Sequence, residues 1–113
     1  MHRTLIVARL EPGRQHAVAE AFAESDRTEL PRLVGVHSRR LFTFHDLYLH
    51  LIESDRDPAP ALREVRDHPL FLDVNAKLGR HVSAYHPDWR EPRDAMAQEF
   101  YHWSTVDSDG GPR

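Results

Sequence analysis

Hydrophobic and polar positions along the chain change period several times, and each change marks an element. From Arg3 to Leu10 aliphatic residues dominate an alternating run, which predicts a first strand that Glu11-Pro12-Gly13 interrupts. Pro12 suits the opening turn of a helix. Ala17, Val18, Ala21 and Phe22 then fall at helical spacing between Arg14 and Glu24, predicting an amphipathic helix able to lie on a sheet. Leu30-Pro31-Arg32 closes that region and leads into a second strand, Val34 to Phe44. A third, Leu47 to Glu53, follows after only two residues, His45-Asp46. Asp55 to Pro60 reads as a loop. Beyond it Ala61, Leu62, Val65 and Arg66 are spaced for a helix, Pro69 breaks the pattern, and Leu70 to Leu78 continues it up to Gly79. His81 to Tyr85 predicts a fourth strand, closed by Pro87.

The order strand, helix, strand, strand, helix, strand is that of the ferredoxin-like split βαβ (βαββαβ) fold. It is an α+β class with an antiparallel sheet and helices on one face. The hairpin exposes a difficulty with that plan. If His45-Asp46 is the loop, Arg39, Leu41 and Thr43 share one face with Tyr48, His50 and Ile52, while Phe42, Phe44, Leu47, Leu49 and Leu51 share the other. Both faces carry apolar bulk, yet helices cover only one, so a homodimer packing sheet on sheet is expected. Near the C-terminus, Phe100, Tyr101 and Trp103 place more apolar surface than a free tail should expose. Residues 1–104 are therefore read as one domain including a C-terminal docking strand, with its acceptor either the same chain or its partner. Residues 105–113 have the composition of a disordered tail.

Length and charge narrow the classes. With 113 residues the chain has room for one core and one pocket. Eighteen acidic against fifteen basic residues, with no basic stripe, argue against nucleic acid as a partner. The absence of cysteine removes disulfides, thiolate metal sites and cysteine nucleophiles. The apolar run at the N-terminus is too short for a signal h-region or a membrane span, so the expected location is the cytoplasm, with no membrane partner. Nine histidines invite a metal reading, but His45 and His50, like His81 and His86, lie five apart and no ligand motif appears; no metal is expected.

Candidate chemistry concentrates in two places. Arg39 and His50 become diagonal neighbours on the hairpin, within reach of each other's side chains. Asp26 follows the first helix directly, where a carboxylate can reach the sheet edge. Taken alone, Asp26 reads as a capping or surface residue before a catalytic one, and Arg39 as an ordinary sheet-face ion-pair member.

Across these residues the chain resembles the tetracenomycin-type aromatic polyketide cyclases. The resemblance is carried in order by Ala21-Phe22-Ala23-Glu24, Asp26, Thr28-Glu29-Leu30-Pro31, Gly35-Val36, Leu41-Phe42, Phe44-His45-Asp46-Leu47-Tyr48, His50-Leu51-Ile52-Glu53, His68-Pro69-Leu70-Phe71 and Val74-Asn75, and spans about Arg3 to Trp103. It implies a ferredoxin-like homodimer, a dimeric α/β barrel with a pocket in each protomer. It also implies cofactor-free closure of a late ring in an aromatic polyketide intermediate, with dehydration, in antibiotic or pigment biosynthesis. Transient contact with polyketide synthase components is implied too. The family's catalytic groups match Asp26, Arg39 and His50. Ser25, His37, Leu41, Tyr48 and His81 are the accompanying substrate-binding candidates. Ser25 stands where a family member carries histidine; a different substrate, or a contribution from His37 or His81, would account for the change.

Aldol closure of a poly-β-ketone needs a base for an acidic methylene proton, a cation for the enolate oxygen and an acid to help water leave. Asp26 or His50 fits the base, Arg39 the oxyanion partner, and His50 or Tyr48 the acid. Two alternatives stand beside this reading. One is a cofactor-independent monooxygenase acting on an anthrone-like polyketide. The other is a chaperone that folds the polyketide without chemistry of its own.

Overall fold

The computed structural model describes residues 1–105, and the tail expected to be disordered lies, from 106 onward, outside the described residues. Four strands form one antiparallel sheet: β1 (His2–Leu10), β2 (Val36–Phe44), β3 (Leu47–Ser54) and the short β4 (Val82–Ser83), in the order β2-β3-β1-β4. Helix α1 (Gln15–Ser25) and the short α2 (Leu30–Val34) follow β1. Helices α3 (Ala59–Glu64) and α4 (Pro69–Leu78) follow β3, and a 3-10 turn spans Pro92–Ala95.

Alternation in the strands decides which face the helices cover. Tyr48, His50, Ile52 and Ser54 of β3 are buried, and Thr4, Ala8 and Leu10 of β1 are buried beside them. Helix α1 contributes Val18 and Phe22, one turn apart, to a core with Ala8, Leu10 and Tyr48. A second core gathers Leu30, Val34 and Val74. The two cores lie side by side under the sheet, and the space between them is the cavity described below.

The hairpin has the anticipated register, with Phe44 opposite Leu47, Thr43 opposite Tyr48 and Leu41 opposite His50. His45 takes the left-handed conformation that a two-residue loop requires (φ 55°). Three other segments differ from expectation. Val34 ends a helix instead of starting a strand: the Thr28 hydroxyl accepts the Leu30 N–H at 3.1 Å, Pro31 suits a first turn, and Leu30 and Val34 bury one turn apart. Pro12 stays in the turn ahead of α1, which opens only at Gln15. β4 is two residues long instead of five because its pairing with β1 is confined to Arg9 and Leu10.

Among the described residues no helix lies on the outer face of the sheet. Phe42 and Phe44 are exposed there, beside the half-buried Leu47, Leu49 and Leu51. At the middle of β1, Met96 bridges Ile6 and the Ala97 N–H donates to the Leu5 carbonyl at 2.7 Å, so the C-terminal segment touches the sheet at that point. Phe100, Tyr101 and Trp103 beyond it are exposed.

Gly35 stops α2 in the left-handed conformation (φ 83°), and a β-carbon there would sit against the Asp55 side chain. Gly35→Ala should lower stability by about 1–2 kcal/mol. In urea melts this should appear as a lower midpoint with an unchanged slope.

Candidate active site

Asp26 is the residue at which α1 ends, and its backbone N–H still donates to Phe22, so the carboxylate is held at the edge of the sheet. Arg39 comes to meet it from β2. Nε of Arg39 lies 3.1 and 3.0 Å from the two carboxylate oxygens, and Nη2 lies 2.8 Å from Oδ1, a fork-to-carboxylate pairing. The Arg39 side chain is only 17% exposed, so this partner is what allows a guanidinium there. Its plane rests on the Phe22 ring, 4.6 Å from the centroid.

The remaining Arg39 nitrogen, Nη1, lies 3.1 Å from Nε2 of His50, whose Nδ1 is 2.9 Å from the Tyr48 hydroxyl. This chain of contacts fixes proton positions. Guanidinium nitrogens only donate, so Nε2 of His50 accepts and its proton sits on Nδ1. Nδ1–H then donates to the Tyr48 oxygen, and the phenolic hydrogen remains for another acceptor. Burial, reinforced by the Arg39 charge, pushes His50 down to about 3 and keeps the ring neutral. Burial also raises Tyr48 well above the usual phenol range, against a smaller opposing pull from Arg39. At neutral pH the two groups are an uncharged imidazole and an intact phenol.

These groups lie in the wall of a cavity of about 700 Å³, a volume usual for small-molecule sites. Arg39, Tyr48 and His50 line it together with Phe22 and Ser25. Leu30, Val34, Phe71, Val74 and Leu78 make most of its apolar side, and Trp89 stands at the loop end. Asp26 lies behind Arg39 instead of on the lining. Leu41 packs on the first core, outside the lining.

His37 and His81 are not brought to the cavity. A bulge between Val36 and Ser38 shifts the register of β2, so that Val36 lines the cavity and His37 is exposed, paired with Asp55. His81 is half-buried beside β4, tied through its backbone to Leu78 and Glu11, and absent from the lining. Trp89 and Arg90 of the loop before Pro92, Arg63 of α3 and Arg66 of the turn after it belong to the lining without having been anticipated. The one sequence signal is that Arg66 falls at helical spacing with Ala61, Leu62 and Val65. Among the described residues no three His, Asp or Glu side chains converge to hold a metal ion.

The sequence matches the family described as polyketide synthesis cyclase over residues 2–104. It is 49% identical to tetracenomycin F2 cyclase of Streptomyces glaucescens, covering 95% of this chain and 98% of that one. It is 57% identical to an uncharacterised protein of Streptomyces coelicolor (91% and 95% covered). It is 49% identical to the polyketide synthase CurG of Streptomyces cyaneus (91% and 97% covered). The solved structure of the S. glaucescens tetracenomycin F2 cyclase, a type-II polyketide cyclase, superposes with a TM-score of 0.86 at 48% identity, covering 92% of this chain and 98% of that one. The family match over residues 2–104, with relatives and a fold shared along almost the full chain, places this protein in the polyketide synthesis cyclase family.

Proposed function

We propose that the protein closes a ring of an aromatic polyketide intermediate by intramolecular aldol condensation and dehydration, without a cofactor, in antibiotic or pigment biosynthesis in the cytoplasm. The observation that carries this reading is the chain from Asp26 through Arg39 and His50 to Tyr48, the last three of which stand in the wall of an apolar cavity. Ketone closure needs a donor at the carbonyl oxygen, and the Tyr48 hydroxyl has the free hydrogen. As charge develops on the oxygen it hydrogen-bonds, Nδ1–H of His50 and the Arg39 cation behind it hold the phenol polarised. The substrate reacts as its enol, whose hydroxyl proton replaces the one Tyr48 gives to the new alkoxide; in dehydration Tyr48 protonates the departing oxygen and, as water leaves, takes back the proton that the neighbouring carbon loses. Asp26 is a positioning residue that holds Arg39; the geometry favours it in that role over base, since both its oxygens are engaged. Methylenes between two ketones are acidic already, so the barrier is modest. Holding the chain in one register then supplies a large share of the rate, about 7 kcal/mol or more in favourable cases.

The family match favours cyclisation over oxygenation. A folding chaperone remains the second reading, and one observation favours it: Arg39 occupies both the Asp26 carboxylate and Nε2 of His50, leaving neither free as a strong base. The full architecture we propose is the ferredoxin-like split βαβ unit, doubled into a dimeric α/β barrel that covers the apolar outer face bearing Phe42 and Phe44. Contact with polyketide synthase components belongs to the same reading.

Purified protein added to a minimal polyketide synthase reaction should convert a mixture of shunt products into one cyclised product; an unchanged mixture refutes the function. Tyr48→Phe should lower kcat by about a hundredfold with little change in KM. Replacing Arg39 and His50 together by Ala should abolish most of the product selectivity, whereas a chaperone would retain it if the fold survives.

Long-range proton–nitrogen correlation spectra should show Nε2 of His50 unprotonated and Nδ1 protonated, unchanged from pH 8 to pH 5. The folded-state value of about 3 lies below the ordinary 6.5, so the unfolded chain binds the proton first. Stability present above about 6.5 is therefore lost progressively as pH falls toward 3. His50→Gln should flatten that slope in urea melts. Sedimentation should report a dimer, and Phe42→Asp should shift it toward monomer.

A further inference from the structure

The Asp26 carboxylate alone does not explain why one Arg39 nitrogen points at His50. A guanidinium offers a carboxylate two forks, one made by Nε with Nη2 and one by the two terminal nitrogens. Either would neutralise Asp26. The structure uses the first, with Nε 3.1 and 3.0 Å and Nη2 2.8 Å from the carboxylate oxygens, and that choice leaves Nη1 for Nε2 of His50, 3.1 Å away. The second fork would carry Nη1 to Asp26 and leave Nε2 without its donor. What separates the two is an aromatic ring. Phe22 is 8% exposed, in one core with Ala8, Leu10, Val18 and Tyr48, and it touches both partners. The guanidinium carbon of Arg39 lies 4.6 Å from its centroid, over the face, and the His50 ring meets it edge-on, with centroids 5.0 Å apart and planes at 63°. One rigid side chain thus sets the plane of the donor and the plane of the acceptor.

We propose that Phe22 is a positioning residue: by holding Arg39 and His50 against one ring it keeps the His50 proton on Nδ1 and so frees the Tyr48 hydrogen for the ligand. The effect runs through two hydrogen bonds. Which nitrogen of a neutral imidazole carries the proton follows from the bond that the other makes. With Nη1 of Arg39 in place, Nε2 accepts, and Nδ1–H donates to the Tyr48 oxygen 2.9 Å away. Without it the proton can move to Nε2, Nδ1 becomes an acceptor, and the phenolic hydrogen turns to it across the same 2.9 Å. The Tyr48 oxygen then faces the cavity with lone pairs only, and a ligand carbonyl there is repelled. Control of the tautomer rests on these contacts alone; its part in ring closure rests on the function proposed above.

Phe22 also lines the cavity, so lost activity would not by itself separate positioning from a change of shape. Long-range proton–nitrogen spectra of the ligand-free protein make that separation without turnover. Phe22→Leu removes the aromatic face and keeps apolar bulk; the form of His50 protonated on Nε2 should appear in it and be absent from the wild type. Phe22→Tyr keeps the face and should show the wild-type pattern. If F22L does not fold, Phe22→Met carries the same comparison. His50 protonated on Nδ1 alone in F22L, a changed pattern in F22Y, or a wild type protonated on Nε2 would overturn the proposal. In cyclisation assays kcat should fall about tenfold in F22L and by less than about twofold in F22Y. A shifted tautomer with undiminished kcat supports the positioning role and refutes the part given to Tyr48 in ring closure.

Discussion

A guanidinium that is four-fifths buried has to be neutralised, and most of the site follows from how Arg39 is. Its carboxylate comes from Asp26, the residue at which α1 stops, so the pair also sets how the helix end approaches β2. Phe22, one turn earlier, lies under the guanidinium and edge-on to the His50 ring, with centroids 5.0 Å apart. The nitrogen left over turns to His50 and decides which of its two ring atoms carries the proton. One buried cation therefore ties a helix terminus, two strands and a hydrogen-bond chain into a single arrangement. Removing Asp26 would leave the cation without its counter-charge, a larger disturbance than the loss of one polar group suggests.

Because the chain ends at a phenol, the part of the wall made by Tyr48 and His50 presents no ionised group except the guanidinium that polarises it from behind. Tyr48 and His50 are both held uncharged by burial. Such a wall suits a reaction whose substrate is already reactive, in which the protein must choose among closures more than it must lower a high barrier. The apolar side made by Leu30, Val34, Phe71 and Val74 constrains where a ring system can lie, and the single donor marks which oxygen is activated.

Much of this was legible in the amino-acid order, because it depends on parity. The two-residue loop fixes Leu41 opposite His50 and Thr43 opposite Tyr48, and alternation then places Arg39 with both. His37 obeys the same parity on paper but not in the protein, since the bulge at Val36–Ser38 inserts an extra residue that no local composition announced. The helix at Leu30–Val34 was missed because β-branched and aliphatic residues fit either element, and a side-chain bond from Thr28 tipped the balance. His81 drew notice as a histidine near a strand, yet β4 is too short to aim it anywhere. The lining arginines beyond Arg39 come from α3, the turn after it and the loop before Pro92, segments far apart in sequence that meet only in the folded chain, where Arg63 pairs with Glu91.

The His45-Asp46 loop has a consequence for how such a chain can change over time. Substitution there is cheap wherever the new residue tolerates the left-handed backbone at position 45, because neither side chain enters the cavity. Insertion of a single residue is not. It would turn Tyr48 and His50 toward the opposite face and put leucines in their place, erasing the site while leaving composition almost untouched. Changes of hairpin length that keep the site are thereby limited to steps of two or to single insertions that a bulge absorbs, as the one at Val36–Ser38 does on the same strand.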